Sequence, residues 1–380
     1  VALPELKMPA VTHFIDGTGP VFAGSMFPFL FITIACGAIS GFHALVSSGT
    51  TPKLIENEVD IRVIGYGGML MESFVAVMAM ICATILEPGV YFAINAPAAV
   101  LGTTVESAAE AVRTLGFVVT PEALTLLAQE VGESTILSRT GGAPTFAIGM
   151  AHIITEIFNN RSMMAFWYHF AILFEALFIL TAVDAGTRAC RFMVQDTVGI
   201  VIPALKQSHN FFGNLVGTAV AVAGWGFFVY QGVIDPLGGI NSLWPLFGIG
   251  NQMLAAMALI LGTVILFKMK KEKYVWITIF PTIFLFITCM TAGWQKIFHE
   301  NPKIGFLAQA NRFSDAIARN EILKPAKDVA EMQTIVFSNQ INAILCGFFM
   351  IVAIVMLFAA IGVIRRALAD PNPSVHESEA

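Results

Sequence analysis

The sequence predicts an all-α fold, a polytopic transmembrane helical bundle. Hydrophobic residues make up 56% of the 380 residues and charged residues only 12%, and the mean hydropathy is +0.75. Soluble domains carry about 25% charged residues. A chain this apolar cannot bury its hydrophobic surface inside one globule, because too little polar surface remains to cover it. We therefore expect most of the chain to contact membrane lipid.

Seven apolar stretches are long enough to span a membrane, whose hydrocarbon core of roughly 30 Å needs about 20 helical residues. These predicted spans lie near residues 20–48, 63–85, 163–185, 211–231, 244–267, 274–294 and 335–364. An eighth apolar stretch, residues 143–158, is too short to cross comfortably and contains Pro144, Gly149 and His152. We interpret this stretch as a re-entrant segment.

The remaining segments are polar, and they predict the domain organisation. Residues 102–142 form a polar loop with helical patterns, and residues 295–333 form a water-exposed loop with an amphipathic helix. We therefore expect a core transmembrane region over 1–162, a five-span transmembrane region over 163–366 and a disordered cytoplasmic tail over 367–380.

Lysine and arginine residues indicate the orientation, because they are enriched in cytoplasmic loops. With seven spans, one side of the membrane receives the basic residues of the short loops: Lys53, Arg62, Arg188, Arg191, Lys206, Lys268, Lys270, Lys271, Lys273, Arg365 and Arg366. The short loop 232–243 on the other side contains neither Lys nor Arg. This pattern predicts an external start and a cytoplasmic C-terminus, and it favours a chain that is incomplete at its N-terminus.

Composition and motifs disfavour several classes of function. The net charge of −5 gives no reason to expect nucleic acid binding. The cysteines lie in or beside apolar stretches without a CxxC spacing or a histidine cluster, which disfavours a metal site or a disulfide: Cys36, Cys82, Cys190, Cys289 and Cys346. The sequence has no P-loop, HExxH or GxSxG motif, so we expect neither ATP-driven pumping nor an enzyme, and no cofactor.

The first predicted span contains a group of residues that is unusual for a membrane helix: Gly37, Ser40, Gly41, His43, Ser47, Ser48 and Thr50. In lipid, a helix interrupted by glycine and serine must satisfy its freed backbone groups internally, so it lies inside a bundle or beside a cavity. Transporters direct such helix ends at ions or anionic substrates. We therefore predict that this group binds substrate. The alternative is a packing contact at Gly37 and Gly41, with hydroxyl groups bonded to carbonyls of their own helix.

Three acidic side chains in the second and third spans are candidates for carrying a proton: Glu72, Glu175 and Asp184. An ionisable group near mid-membrane costs a few kcal/mol and is a functional candidate by default. An apolar setting raises the pKa of a carboxyl group toward the working range. The alternative for Glu72 is a structural hydrogen bond from a protonated carboxyl group to a neighbouring helix.

Two further side chains are predicted to bind substrate. Arg188 could hold a carboxylate in a bidentate fork, although Asp184 lies four residues earlier and could pair with it on the helix surface. Asn251 lies in a polar, glycine-containing patch of the fifth span. Amide side chains in membrane helices usually form hydrogen bonds between helices, which is the alternative to substrate binding.

Six long motifs are spread along almost the whole chain: GAISGFHALVSSGTTPK, IGYGGMLMESFVAVMA, EPGVYFAINAP, ILSRTGGAPT, MMAFWYHFAILFEALFILTAVDAGTR and WPLFGIGNQMLAAMAL. Together they resemble the carbon starvation CstA family. The resemblance implies an inner-membrane transporter that is induced when carbon is scarce, with peptides or pyruvate as substrates and protons as the energy source. It also implies the LeuT-like fold of the amino acid–polyamine–organocation superfamily, with broken helices around a midplane site.

We therefore expect a secondary active transporter that imports a small carboxylate-bearing nutrient, a peptide or pyruvate, in symport with protons across the bacterial inner membrane. The alternative is a membrane nutrient sensor that binds substrate and signals to a partner. A sensor would need a sizeable cytoplasmic domain, and the predicted cytoplasmic loops are short. A homo-oligomer is compatible with the sequence.

Overall fold

The computed structural model describes residues 3–34, 37, 39–203 and 210–369, with the backbone alone for residues 240–242. Within these residues every regular element is a helix and no β-strand occurs, which confirms the predicted all-α class. The α-helices are α1 (Met26–Thr33), α2 (Gly41–Gly49), α3 (Thr51–Leu54), α4 (Gly67–Thr84), α5 (Pro88–Asn95), α6 (Ala98–Leu101), α7 (Val105–Thr114), α8 (Pro121–Glu130), α9 (Ala143–Phe158), α10 (Met164–Gly199), α11 (Phe211–Ile234), α12 (Gly239–Lys268), α13 (Trp276–Phe298), α14 (Phe306–Ala318) and α15 (Val329–Ala369).

Six helices in the described residues are long and apolar enough to cross a membrane, so the chain is a multi-pass membrane protein. They are Arg62–Thr84, Arg161–Gly199, Phe211–Ile234, Leu243–Lys268, Trp276–Phe298 and Val329–Ala369. Each coincides with one of the seven predicted spans. The first predicted span, 20–48, differs: its described residues, which leave out 35, 36 and 38, include the short helices α1 and α2, and the backbone at Ser40 before α2 is extended.

Several predicted boundaries need correction. Helix α10 continues 14 residues beyond the predicted end at 185, to Gly199. The predicted loop 295–333 is shorter, because α13 ends at Phe298 and α15 already begins at Val329. Helix α15 also extends through Ala369, into the predicted tail, and residues 370–380 lie outside the described residues. In each case the helix continues, and still packs through apolar side chains, beyond the polar residues from which a loop was predicted.

The described residues divide into two compact units. The first unit is taken from Val1–Ala23 and Pro52–Arg188, and the second from Gly24–Thr51 and Ala189–Ala380. The predicted division between 1–162 and 163–366 stays a prediction.

In the first unit, the polar stretch after α4 folds into a helical lobe with its own core. Thr120 caps α8, which begins at Pro121, and Thr104 caps α7. Helix α9 packs against α4 and α5, and the buried Asn95 donates a hydrogen bond to the Thr145 hydroxyl at 2.7 Å. The predicted short helix at 143–158 is confirmed, and its re-entrant character stays a prediction.

In the second unit, α12 is the central helix. It packs against α1, α2, α11, α13 and α15, while α14 packs against α15. Two glycines allow backbones to approach closely. A Cβ added to Gly248 would lie 2.6 Å from the Ile32 carbonyl oxygen of α1, and one added to Gly41 would overlap the Asn251 carbonyl oxygen. Both halves of the first predicted span are therefore packed tightly onto α12.

Candidate substrate site in the second unit

The break in the first span lies between α1 and α2. A side chain from α12 accepts a hydrogen bond from a backbone N–H at the start of α2, the second half of the span. Ser40 is the N-cap of α2, where its hydroxyl accepts the His43 N–H at 3.3 Å. The Asn251 Oδ1 atom accepts the Phe42 N–H at 2.8 Å and lies 3.4 Å from the Ser40 hydroxyl oxygen. Free N–H groups in a membrane must find such partners. The structure thus brings together three predicted site residues, Ser40, Gly41 and Asn251.

The next residue of α12 forms a hydrogen bond with a backbone carbonyl of α1, the first half of the span. The Gln252 Nε2 atom donates to the Phe31 carbonyl oxygen of α1. On its other side, the Gln252 Oε1 atom accepts from the Cys289 thiol of α13 at 3.7 Å. Consecutive amide side chains on one helix therefore hold the C-terminal end of α1 and the N-terminal end of α2. Both amides thus form hydrogen bonds between helices, which for Asn251 is the alternative to substrate binding given above.

One donor of Asn251 is left over. Its oxygen must face the Phe42 N–H, so its Nδ2 atom points away from that bond, and this nitrogen has no hydrogen-bond partner among the residues that the structure describes. The residue is only 4% exposed, and burying an unmatched donor costs about 1–3 kcal/mol. The N-terminus of α2 adds a partial positive charge beside it. Together the two features form a place that suits an anionic group.

The other predicted residues of this segment are placed differently. The Ser47 and Ser48 hydroxyls donate to the Ala44 carbonyl, at 3.1 and 2.8 Å, and the Thr50 hydroxyl donates to Val46 at 2.9 Å. These hydroxyls bond to their own helix, as in the alternative given above. His43 is exposed in the first turn of α2. A Cβ added to Gly37 would meet no described atom within 4 Å, so no close approach requires a glycine there.

The four predicted residues of the second and third spans belong to the first unit. Glu72 lies on the exposed surface of α4, and Glu175 is half-buried on α10. The Arg188 guanidinium donates to the Asp184 carboxylate at 3.0 Å, with both side chains more than a third exposed. The predicted pairing is confirmed, and it occupies Arg188 with a carboxylate from its own helix.

The sequence analysis missed Lys296, which is one of two buried charged side chains among the described residues; the other is Asp235. Lys296 lies in the last turn of α13 and is 5% exposed. Its ammonium nitrogen lies 5.3 Å from the ring centroid of Phe29 on α1 and 5.7 Å from that of Phe306 on α14. Aromatic faces attract a desolvated cation.

Lys296 was missed because residue 295 was taken as the start of a loop. The sequence contains a signal against that boundary: apolar residues recur at Gly293, Ile297 and Phe298, which continues the helical repeat of the span. A lysine embedded in such a repeat belongs to a membrane helix, where ionisable groups are functional candidates.

The chain is similar to a family of known proteins. The family model "Carbon starvation protein CstA" matches residues 1–292. "Peptide transporter CstA" of Escherichia coli (strain K12) is 56% identical over 99% of this chain and 54% of its own length. The protein of the same name from Campylobacter jejuni is 56% identical over 97% of this chain and 55% of its own length.

A differently named relative has nearly the same similarity. "Pyruvate/proton symporter BtsT" of Escherichia coli (strain K12) is 52% identical over 93% of this chain and 52% of its own length. No solved structure matches this chain. The chain spans about half the length of these curated relatives. On the family model and the identities together, it belongs to the carbon starvation protein CstA family.

Proposed function

We propose that the protein is a proton-coupled secondary transporter that imports a small carboxylate-bearing nutrient, a peptide or pyruvate, across the bacterial inner membrane. The observation that carries this proposal is the broken helix α1–α2, whose ends are held by Asn251 and Gln252. Interrupted membrane helices of this kind form ion and substrate sites in secondary transporters. The names of the relatives, a peptide transporter and a pyruvate/proton symporter, support the substrate class and the coupling.

In this proposal the N-terminal end of α2 binds the substrate carboxylate. Asn251 contributes its unmatched Nδ2 donor, and Ser40 and Gly41 form the first turn of the helix against it. Lys296 supplies the full positive charge that a carboxylate needs in a dry setting, because isolated anions are costly to bury. It lies against α1, the other half of the same broken helix.

We propose Glu72 as the proton carrier. Glu175 is the second candidate among the three acidic residues that the sequence predicts for this role. Both lie on membrane-spanning helices, where an ionisable side chain is costly and is retained for a reason. Asp184 is the weakest of the three, because its carboxylate is paired with Arg188.

The proposed orientation has the C-terminus in the cytoplasm. It rests on the bias of lysine and arginine toward cytoplasmic loops. A contact supports it: the Lys270 ammonium, in the basic loop after α12, donates to the Ala367 carbonyl at 2.9 Å, near the end of α15. Two basic segments that the orientation requires on one side of the membrane are therefore adjacent. The LeuT-like fold is part of the same proposal, supported by the broken helix.

Counterflow in proteoliposomes tests the proposed function. Vesicles with the reconstituted protein are loaded with unlabelled pyruvate or dialanine, and entry of the same labelled compound is followed with and without an inward proton gradient. We expect one compound to accumulate, and faster with the gradient. Protein-free vesicles are the control. Binding of substrate without any accumulation would favour the sensor instead, a function that none of the relatives' names supports.

A further inference from the structure

The second unit contains a cleft at the end of α11, apart from the helix break. Its cavity volume is ≈ 20 Å³, space for a group about the size of a water molecule, and it is lined by residues of α11, the start of α12 and α15. Most of its polar and aromatic lining comes from Phe227, Phe228, Gln231, Asp235, Ser338 and Asn342. The two remaining lining side chains are aliphatic. Asp235 is the one charged side chain among the eight, so the cleft is anionic.

Helix geometry explains why these side chains share the cleft. Phe227, Gln231 and Asp235 follow each other at intervals of four residues, which places them on one face of α11 and its C-cap. On α15, Ser338 and Asn342 are also four residues apart. The two faces therefore present aromatic rings and oxygen atoms to the same space.

The Ser338 hydroxyl is a polar group of the cleft that can accept a ligand. Ser338 is 8% exposed, and among the described residues its Oγ atom has no hydrogen-bond partner, not even a carbonyl of its own helix. A helical serine buried in apolar surroundings ordinarily bonds to the carbonyl four residues before it. An unmatched buried hydroxyl that lines a cleft beside a carboxylate is suited to accept a hydrogen bond from a ligand.

Asp235 supplies the charge for that ligand. It is 5% exposed, and its Oδ1 atom accepts the Leu237 N–H at 2.9 Å, which fixes the side chain at the turn after α11. Carboxylate, hydroxyl and amide oxygens match the three N–H donors of a primary ammonium group. The faces of Phe227 and Phe228 attract an organic cation, whereas they offer no lone pair to a metal ion.

We propose that this cleft binds a primary ammonium group, the free amino terminus of a peptide substrate. The proposal rests on the proposed function and deepens it, because pyruvate has no ammonium group and would leave the cleft unused. In the proposed orientation the cleft lies at the external end of the bundle, where an arriving nutrient would first meet the protein.

Binding in detergent solution tests the proposal separately from transport. The purified protein is titrated with dialanine and with N-acetyl-dialanine, which lacks the ammonium group, and the Kd of each is measured by microscale thermophoresis. We expect dialanine to bind at least about tenfold more tightly. Asp235→Asn should remove this preference, while Asp315→Asn, which changes an exposed acid of α14, should retain it.

A second variant keeps the test valid if Asp235→Asn does not fold. Ser338→Ala removes a hydroxyl that has no partner within the described part of the chain, so folding should be unaffected. The variant should weaken dialanine binding about three- to tenfold, the range of one hydrogen bond, and leave N-acetyl-dialanine unchanged. Ser314→Ala on the exposed face of α14 is its control and should change neither Kd.

Three results would overturn the proposal. The first is equal affinity of the two dipeptides for the unmodified protein. The second is a preference for dialanine that survives both Asp235→Asn and Ser338→Ala, which would leave Asp235 only its role at the turn. The third is binding of sodium ions that Asp235→Asn abolishes, without any dipeptide preference. If vesicles transport nothing but the preference and its loss in Asp235→Asn are found, the proposed function fails and the ammonium site stands.

Discussion

The amide residues of α12 that hold the broken helix and the acidic residues of α4 and α10 are all polar side chains within apolar spans, and their surroundings in the structure differ. Asn251 and Gln252 are buried and bonded to backbone groups of other helices. Glu72 instead lies on a helix that buries almost none of its apolar surface against the described residues. A polar residue inside a span becomes part of a built site when another helix needs its hydrogen bond, and mid-span position alone does not decide this.

A substitution of Lys296 should have the largest effect among the variants that test this difference. Lys296→Met keeps the length and the aliphatic contacts of the side chain and removes its charge. If the buried side of the bundle binds the substrate carboxylate, uptake should fall roughly 100-fold, while the protein remains folded. Uptake is measured in proteoliposomes, and thermal unfolding in detergent reports folding.

The matched control is Lys303→Met, because Lys303 is exposed beyond the same helix. Equal uptake by both variants would show that the charge of Lys296 takes no part in substrate binding.

Asn251→Ala tests the break itself. It leaves the Phe42 N–H unmatched and removes the Nδ2 donor, so we expect a loss of about 1–3 kcal/mol in the free energy of unfolding and about a tenfold lower substrate affinity. The exposed Asn57→Ala is the control. If Asn251→Ala lowers stability but leaves substrate affinity intact, Asn251 only repairs the broken backbone.

Glu72→Gln tests the acidic residues of α4 and α10. A symported proton makes uptake faster at acidic than at neutral external pH, because the proton is a co-substrate. Without the exchangeable proton at Glu72, the two rates should become equal while substrate binding is retained. Uptake that still rises on acidification would remove Glu72 from the mechanism, and Glu175→Gln would be examined next; Glu58→Gln, in an exposed loop, is the control.

Asp184→Asn should have the smallest effect. Its ion pair with Arg188 is largely exposed, and exposed pairs contribute less than about 1 kcal/mol. We expect nearly unchanged thermal unfolding and nearly unchanged uptake. A severe loss of uptake with normal stability would show that this end of α10 takes part in transport after all.

Much of the fold could be predicted because it depends on local physics. Long apolar runs give the spans, and threonines before helical patterns give the caps of α7 and α8. The break near Gly37–Gly41 could also be predicted, because glycine and serine weaken a helix wherever it packs. These signals lie within a few residues of each other in the chain.

The partners at the site could not be predicted, because they come from distant parts of the chain. Asn251 lies more than 200 residues from the Phe42 N–H that it accepts. Nothing near Ser47 or Ser48 reveals that their hydroxyls bond to their own helix. Lys296 and Asp235 lie in predicted loops, and their burial follows only from the packing of distant helices: α1 and α14 around Lys296, and α12 and α15 around Asp235.

The spacing of the two anchors has a consequence for motion. Asn251 and Gln252 are consecutive, so the two halves of the broken helix are fixed to points whose Cα atoms are about 3.8 Å apart. Pulling α1 away from α2 breaks one of these bonds. The break therefore resists separation of its two helix ends, because both ends are held by neighbouring residues of a single helix.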